Sequence, residues 1–185
     1  MSLPFPTLTI PTVPTTGSVC LWQVHKTLKG KRVDKFSVPF KCPLGATARA
    51  TTHVELTITS AGAPCDQDPG VIPNASMLVA DGFTLRRTDG LAHFVGTFKI
   101  NNPKGGPVFA GELELFQRVG SHVPPYGQEA CNIPEHVEGW LIGRGDELAP
   151  RATLRALVVG KGWFPEASGE TPLQLVINGV LLQIS

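Results

Sequence analysis

The sequence predicts an all-β fold, and three observations carry that prediction. Apolar and polar residues alternate along much of the chain, as in residues 50–60, where Thr52, Val54, Leu56 and Ile58 share one face. Turn formers are abundant, with 20 glycines and 17 prolines among 185 residues, and no helical pattern is convincing. Roughly eight to eleven short strands predict one antiparallel β-barrel, with a two-sheet sandwich as the alternative. The barrel is favoured because closure removes exposed sheet edges.

The chain is predicted to hold one domain preceded by an arm. Its length is typical of a single domain, and we assign residues 18–185 to one β domain. Residues 1–17 carry four prolines at spacings that forbid a helix, so they are expected to form an extended arm. Such an arm either stays free of the body or lies across it as an edge strand.

In the first half of the chain, turns that contain glycine are expected to separate the strands. Residues 18–29 and 32–42 are predicted strands, joined by a turn at Gly30 and Lys31. Asp89 and Gly90 suit the positive φ angles of a type I′ hairpin, which would place Leu85 opposite Phe94. The predicted three-stranded meander consists of residues 76–87, interrupted near residues 81–82, followed by residues 91–100 and 108–118.

In the second half, residues 136–144 and 152–159 are predicted strands. For residues 152–159 a strand is preferred to a helix beginning at Pro150, because the segment is short and its context is β. At the C-terminus, Asn178 and Gly179 separate LQLVI from VLLQI, which predicts a β-hairpin. Both faces of that hairpin would be largely apolar, so it must lie in the core or form a subunit contact.

Composition and charge limit the classes of function that the sequence supports. A net charge of +1 provides no basic field for nucleic acid. No apolar run approaches the ~20 residues of a membrane helix, and the N-terminus lacks signal-peptide features, so a soluble cytoplasmic protein is expected. Charged residues are only 17% of the chain, which favours a homo-oligomer. None of the four cysteines forms a C-x-x-C pair, so free thiols are expected, and no cofactor is predicted.

The candidate site lies in residues 117–145, a predicted loop that leads into a strand. Residues two apart on a strand share a face, and one face of this strand combines an imidazole, a carboxylate, an aromatic ring and a guanidinium. Such a row suits the lumen of a small barrel, where a few polar groups orient a small-molecule ligand. The preceding loop could add further contacts. The predicted ligand-binding residues are Trp140 and Ile142 in this row, together with His122 and Tyr126 in the loop. The other members of the row are His136, Glu138 and Arg144.

Three functions fit this arrangement. The first is a small-ligand-binding barrel with a polar and aromatic lumen. The second is a barrel enzyme in which His136 and Glu138 transfer protons and Arg144 stabilises an anionic oxygen. The third is an assembly protein whose arm and C-terminal hairpin make subunit contacts around a filled lumen.

Two further possibilities are weaker. His-Val-Glu recurs at residues 53–55, so two histidines and two glutamates could converge on a metal, although no metal site is predicted. Cys131 lies near His122 and His136, which suggests a thiol nucleophile, but its acidic neighbours Glu129 and Glu135 would raise a thiol pKa.

Overall fold

A computed structural model describes residues 18–37, 48–60, 65–86, 91–118, 135–162 and 168–184. These residues form a closed barrel of eight antiparallel strands, in which each strand pairs with its neighbours in sequence and the last pairs with the first. The strands are β1 Val19–Phe36, β2 Ala48–Thr59, β3 Ser76–Arg86, β4 Leu91–Asn101, β5 Pro107–Arg118, β6 Glu135–Gly145, β7 Ala152–Gly162 and β8 Gly169–Ile184.

The pairing register shows that the strands are strongly inclined. Following paired neighbours from Phe36 around all eight strands leads back to β1 at Lys26, ten residues from the start. This stagger is the geometric condition for closing a sheet of eight tilted strands. The predicted barrel is therefore confirmed, and the sandwich alternative is wrong. The meander and the strand assignment of β7 are also confirmed.

Two predicted turns are wrong, because they lie inside long continuous strands. Gly30 is in the middle of β1, and Asn178 and Gly179 are in the middle of β8. A Cβ on Gly30 would lie 2.0 Å from the backbone oxygen of Glu55, and one on Gly179 would lie 2.0 Å from that of Arg155. Glycine is therefore required at these positions by close backbone approach between coiled strands, not by a turn.

The predicted register of the β3–β4 hairpin is also wrong, by one residue. Leu85 pairs with His93, and Thr84 pairs with Phe94. A shift of one residue moves a side chain to the opposite face, so Leu85 is on the outer surface while Phe94 is in the core. The turn that would fix this register, residues 87–90, lies outside the described residues.

The described inward apolar side chains pack together as one cluster. Phe94, Phe98 and Phe109 are fully buried. A Cβ on Gly96 would lie 2.6 Å from the Phe94 ring, and one on Gly143 would lie 2.8 Å from the Phe98 ring. The rings thus occupy the space that the inner glycines leave open, as expected for a barrel of eight strands whose interior is just wide enough to be filled by side chains.

Candidate functional site

The predicted lumen-facing row of β6 lies on the outside of the barrel. Trp140 and Ile142 are 41% and 42% exposed, whereas Val137 and Leu141 of the reverse face are buried. His136, Glu138 and Arg144 are exposed as well. The strand was predicted correctly, but the choice of its inner face was wrong. Both faces carry large apolar residues, so alternation alone could not decide between them.

The outward row does not form an enclosed site. His136 Nε2 lies 3.4 Å from Glu138 Oε2, and both side chains are more than 60% exposed. Arg144 lies at the opposite end of the strand, in an open pocket with Arg151 and Ile184. The structure therefore does not bring His136 and Arg144 together. The other predicted contacts, His122 and Tyr126, lie outside the described residues, as do Cys131 and the arm.

The two His-Val-Glu segments do not converge on a metal. His53 and Glu55 point outward from β2. His136 and Glu138 point outward from β6, which lies on the opposite side of the eight-stranded barrel. Among the described residues there is no group of three or more potential metal-ligating side chains. Cys20 and Cys65 are free thiols. No helix in the described ranges has the length and apolar character to cross a membrane.

The barrel interior contains a buried ionic network that the sequence analysis missed. Arg32 donates from Nε and Nη2 to both carboxylate oxygens of Asp34, at 2.6 and 3.1 Å. The same guanidinium donates to Gln117 and Thr84, each at 3.1 Å. Thr52 Oγ1 donates to Asp34 Oδ1 at 2.5 Å. Every member is buried, so the network joins β1, β2, β3 and β5 from the inside.

A second buried ion pair fastens a connecting segment to the barrel. Lys26 Nζ lies 2.7 Å from Asp66 Oδ2 and 3.0 Å from Asp68 Oδ2. Asp68 also accepts hydrogen bonds from the backbone N–H groups of residues 70–72. Burial raises the pKa of Asp66. The pKa is lowered by hydrogen bonds from Lys26, Ser60 and the His25 backbone N–H, and by the positive charge of Lys26. The net result is a pKa below the ordinary value of 3.8.

A sequence signal for these buried charges exists. Lys26, Arg32 and Asp34 have even numbers on β1, as do the inward residues Val24 and Leu28. Continuing the alternation of β1 through the glycine, rather than breaking it at a turn, would have placed all three charges inside.

The outer surface of β7, β8 and β1 carries a group of exposed apolar side chains, which we call the apolar wall, with the exposed Arg155 and Asn178 lying among them. Leu157 is diagonal to Val180 across the β7–β8 pair. Along the β1–β8 pair, Leu21 is opposite Leu182, and the neighbouring outward pair is Val19 with Ile184. The exposed wall residues are Val19 (54%), Leu21 (63%), Leu157 (67%), Val159 (38%), Val180 (39%) and Ile184 (42%).

Next to the wall, rings from β4, β5 and β6 form an outward aromatic cluster, defined as His93, Phe116 and Trp140. The His93 and Phe116 rings are stacked, with centroids 4.4 Å apart and planes inclined by 10°. Phe116 and Trp140 are 5.5 Å apart and inclined by 50°. His93 Nε2 lies 2.5 Å from Glu114 Oε1. The cluster thus combines an exposed indole with an imidazole held in place by a carboxylate.

Within the described ranges, the barrel thus has an inner apolar cluster with buried ion pairs, and an outer surface that carries the apolar wall and the aromatic cluster. No protein-family model, no curated protein and no solved structure matches this chain.

Proposed function

We propose that this protein is a structural subunit that assembles with copies of itself through the apolar wall. The observation that carries the proposal is the wall: six large, exposed apolar side chains on three neighbouring strands. A group of exposed apolar side chains of this kind is typical of protein contact sites. Apolar side chains can also meet their own copies across a two-fold axis without opposing like charges.

The other two hypotheses have less support. Ligand binding and catalysis both depended on an enclosed row from His136 to Arg144, and that row is open to solvent. The described inward apolar side chains pack as one cluster, which favours a barrel that acts as a rigid body. The low charged fraction of 17% agrees with a chain that buries part of its surface against another subunit.

The proposal is tested by placing a charge in the wall. Leu157→Glu and Leu21→Glu would each bury a carboxylate in an apolar contact, so we expect the dissociation constant of the oligomer to rise about 100-fold or more. Sedimentation velocity and light scattering measure the mass, and circular dichroism verifies that the variants are folded.

The matched control is Phe83→Glu. Phe83 is 48% exposed on β3, diametrically opposite β7, and the Arg49 guanidinium lies 4.1 Å from its ring centroid. A glutamate there can pair with Arg49, and we expect the oligomer to keep its mass. A wild-type protein that is monomeric at every concentration would overturn the proposal, as would equal effects of Phe83→Glu and Leu157→Glu.

A further inference from the structure

We infer that the aromatic cluster is a docking site for an extended, proline-rich segment, and that its occupant is residues 1–17 of a second copy of this chain. The inference rests on the proposed function, because assembly brings the second copy within reach. Under this inference, Trp140 on the outer surface of one barrel binds the arm of another copy.

The shape of the cluster suits such a segment. The planes of Phe116 and Trp140 are inclined by 50° with centroids 5.5 Å apart, so the two rings offer adjacent apolar surfaces of different orientation. His93 extends this surface by stacking on Phe116, and its hydrogen bond to Glu114 holds the imidazole in place. Surfaces lined by aromatic rings bind polyproline II segments, because proline rings pack against the ring faces and the extended chain has little conformational entropy to lose.

The chemistry of the arm matches this surface. Residues 1–17 contain four of the 17 prolines and no charged side chain. Pro11-Thr12-Val13-Pro14 has the P-x-x-P spacing that places two prolines on one side of a polyproline II helix, which has three residues per turn. Leu3, Phe5 and Ile10 add apolar side chains, so the arm can cover aromatic surface without burying an unpaired charge.

The origin of the arm indicates which copy it binds. The arm precedes Val19, which belongs to the apolar wall and is 54% exposed. In the proposed assembly, the arm therefore leaves its own barrel within the contact surface and passes directly onto the neighbour. At about 3.1 Å per residue in polyproline II, 17 residues reach about 50 Å, which exceeds the width of a small barrel. To reach its own Trp140, the arm would have to cross the buried wall.

The test uses the barrel without residues 1–17 and a fluorescently labelled synthetic peptide of residues 1–17. We expect saturable binding by fluorescence anisotropy, weakened about tenfold or more by Trp140→Ala, since exposed tryptophans at contact centres carry much of the binding energy. Leu148→Ala, at a residue that is 52% exposed and outside both surfaces, is the matched control and should bind as the unchanged barrel does. A peptide carrying Pro11→Ala and Pro14→Ala should bind more weakly.

Two further measurements separate this inference from the proposed function. The Leu21→Glu barrel without the arm should bind the peptide with unchanged affinity, because Leu21 lies outside the aromatic cluster. The full-length Leu21→Glu monomer should bind the peptide more tightly than the full-length wild-type oligomer, because no neighbouring arm competes for its cluster; equal affinity of the two would overturn the assignment to a second copy. Absence of saturable binding, or equal affinity for Trp140→Ala, would overturn the docking site even if the wall mutations dissociate the oligomer.

Discussion

At the scale of single residues, the buried network around Arg32 explains how a barrel can hold charges inside. Asp34 is completely buried, and its carboxylate accepts hydrogen bonds from Arg32 and Thr52. Gln117 links the guanidinium to the backbone oxygen of Gly162 on β7. Each polar group is satisfied by another, so the network is stable only as a whole.

Removing the carboxylate should therefore be costly. Asp34→Ala removes the carboxylate that accepts two hydrogen bonds from the buried Arg32 guanidinium, and we expect the free energy of unfolding to fall by about 3–5 kcal/mol. Thr52→Val, which removes one neutral donor from the same carboxylate, should cost only about 1–2 kcal/mol. Urea denaturation measures both. Equal losses for the two variants would contradict an ionic role for Asp34.

His53, on the outer surface, makes a contribution to the free energy of unfolding that depends on pH. Its Nδ1 lies 2.6 Å from Asp81 Oδ1, and its Nε2 lies 3.3 Å from Glu55 Oε1. The hydrogen bond to Asp81 raises the pKa of His53 above 6.5; burial opposes this rise, and Glu55 adds to it. Because the folded pKa is the higher one, the stabilisation is complete below pH 6.5 and is lost as the pH rises through the folded value.

Asp81→Asn should lower the pKa of His53, as measured by NMR titration of the imidazole. The difference in stability between wild type and variant should be largest just below pH 6.5 and should shrink at higher pH. Glu112→Gln, an outward acid on β5, is the control and should leave the titration of His53 unchanged. A His53 pKa that does not respond to Asp81→Asn would show that the hydrogen bond does not perturb it.

At the scale of elements, the two longest strands show how glycine can mislead. β1 and β8 have 18 and 16 residues, and each contains a glycine that resembles a turn signal. Within β8, Asn178 points outward and hydrogen-bonds His25, while Gly179 lies against the backbone of β7. The same dipeptide that closes a hairpin elsewhere here allows a strand to coil around the barrel.

Two substitutions distinguish the strand from a hairpin. Asn178→Val puts a β-branched residue at an exposed strand position and removes one exposed hydrogen bond to His25, so we expect a loss of about 1 kcal/mol or less, whereas a type I′ turn would not tolerate it. Gly179→Ala should destabilise by about 1–3 kcal/mol or more, because its Cβ would lie 2.5 Å from the Cα of Ala156. Thermal unfolding measures both, and a large loss for Asn178→Val would contradict the continuous strand.

At the scale of the whole molecule, β8 closes the barrel. It pairs with β1 from residue 169 to residue 184 and with β7 from residue 173 to residue 183. Leu173, Leu175, Ile177 and Leu181 are buried in the common core. Removing the C-terminal segment would therefore disrupt the barrel itself, so such a truncation cannot test assembly separately from folding.

Deleting residues 173–185 should abolish cooperative unfolding, because it opens the barrel between β1 and β7 and exposes the core. Circular dichroism and thermal denaturation measure this loss. Leu157→Glu in the full-length chain, which changes only the outer surface, should keep a cooperative transition. A truncated chain that still unfolds cooperatively would contradict the role of β8 in closure.

The all-β class, the antiparallel meander of β3 to β5 and most inward residues of β2, β4 and β5 could be predicted from the sequence, because period-two alternation is a local property of each strand. The inner face of β6, the position of Gly30 and Gly179 within strands, and the burial of Lys26, Arg32 and Asp34 became known only from the folded barrel. Each of these depends on the backbone and side chains of strands distant in sequence, because closure of the barrel assigns one face of every strand to the core. The same closure turned the row from His136 to Arg144 outward, so that contact surfaces, rather than an enclosed site, became the basis of the proposed function.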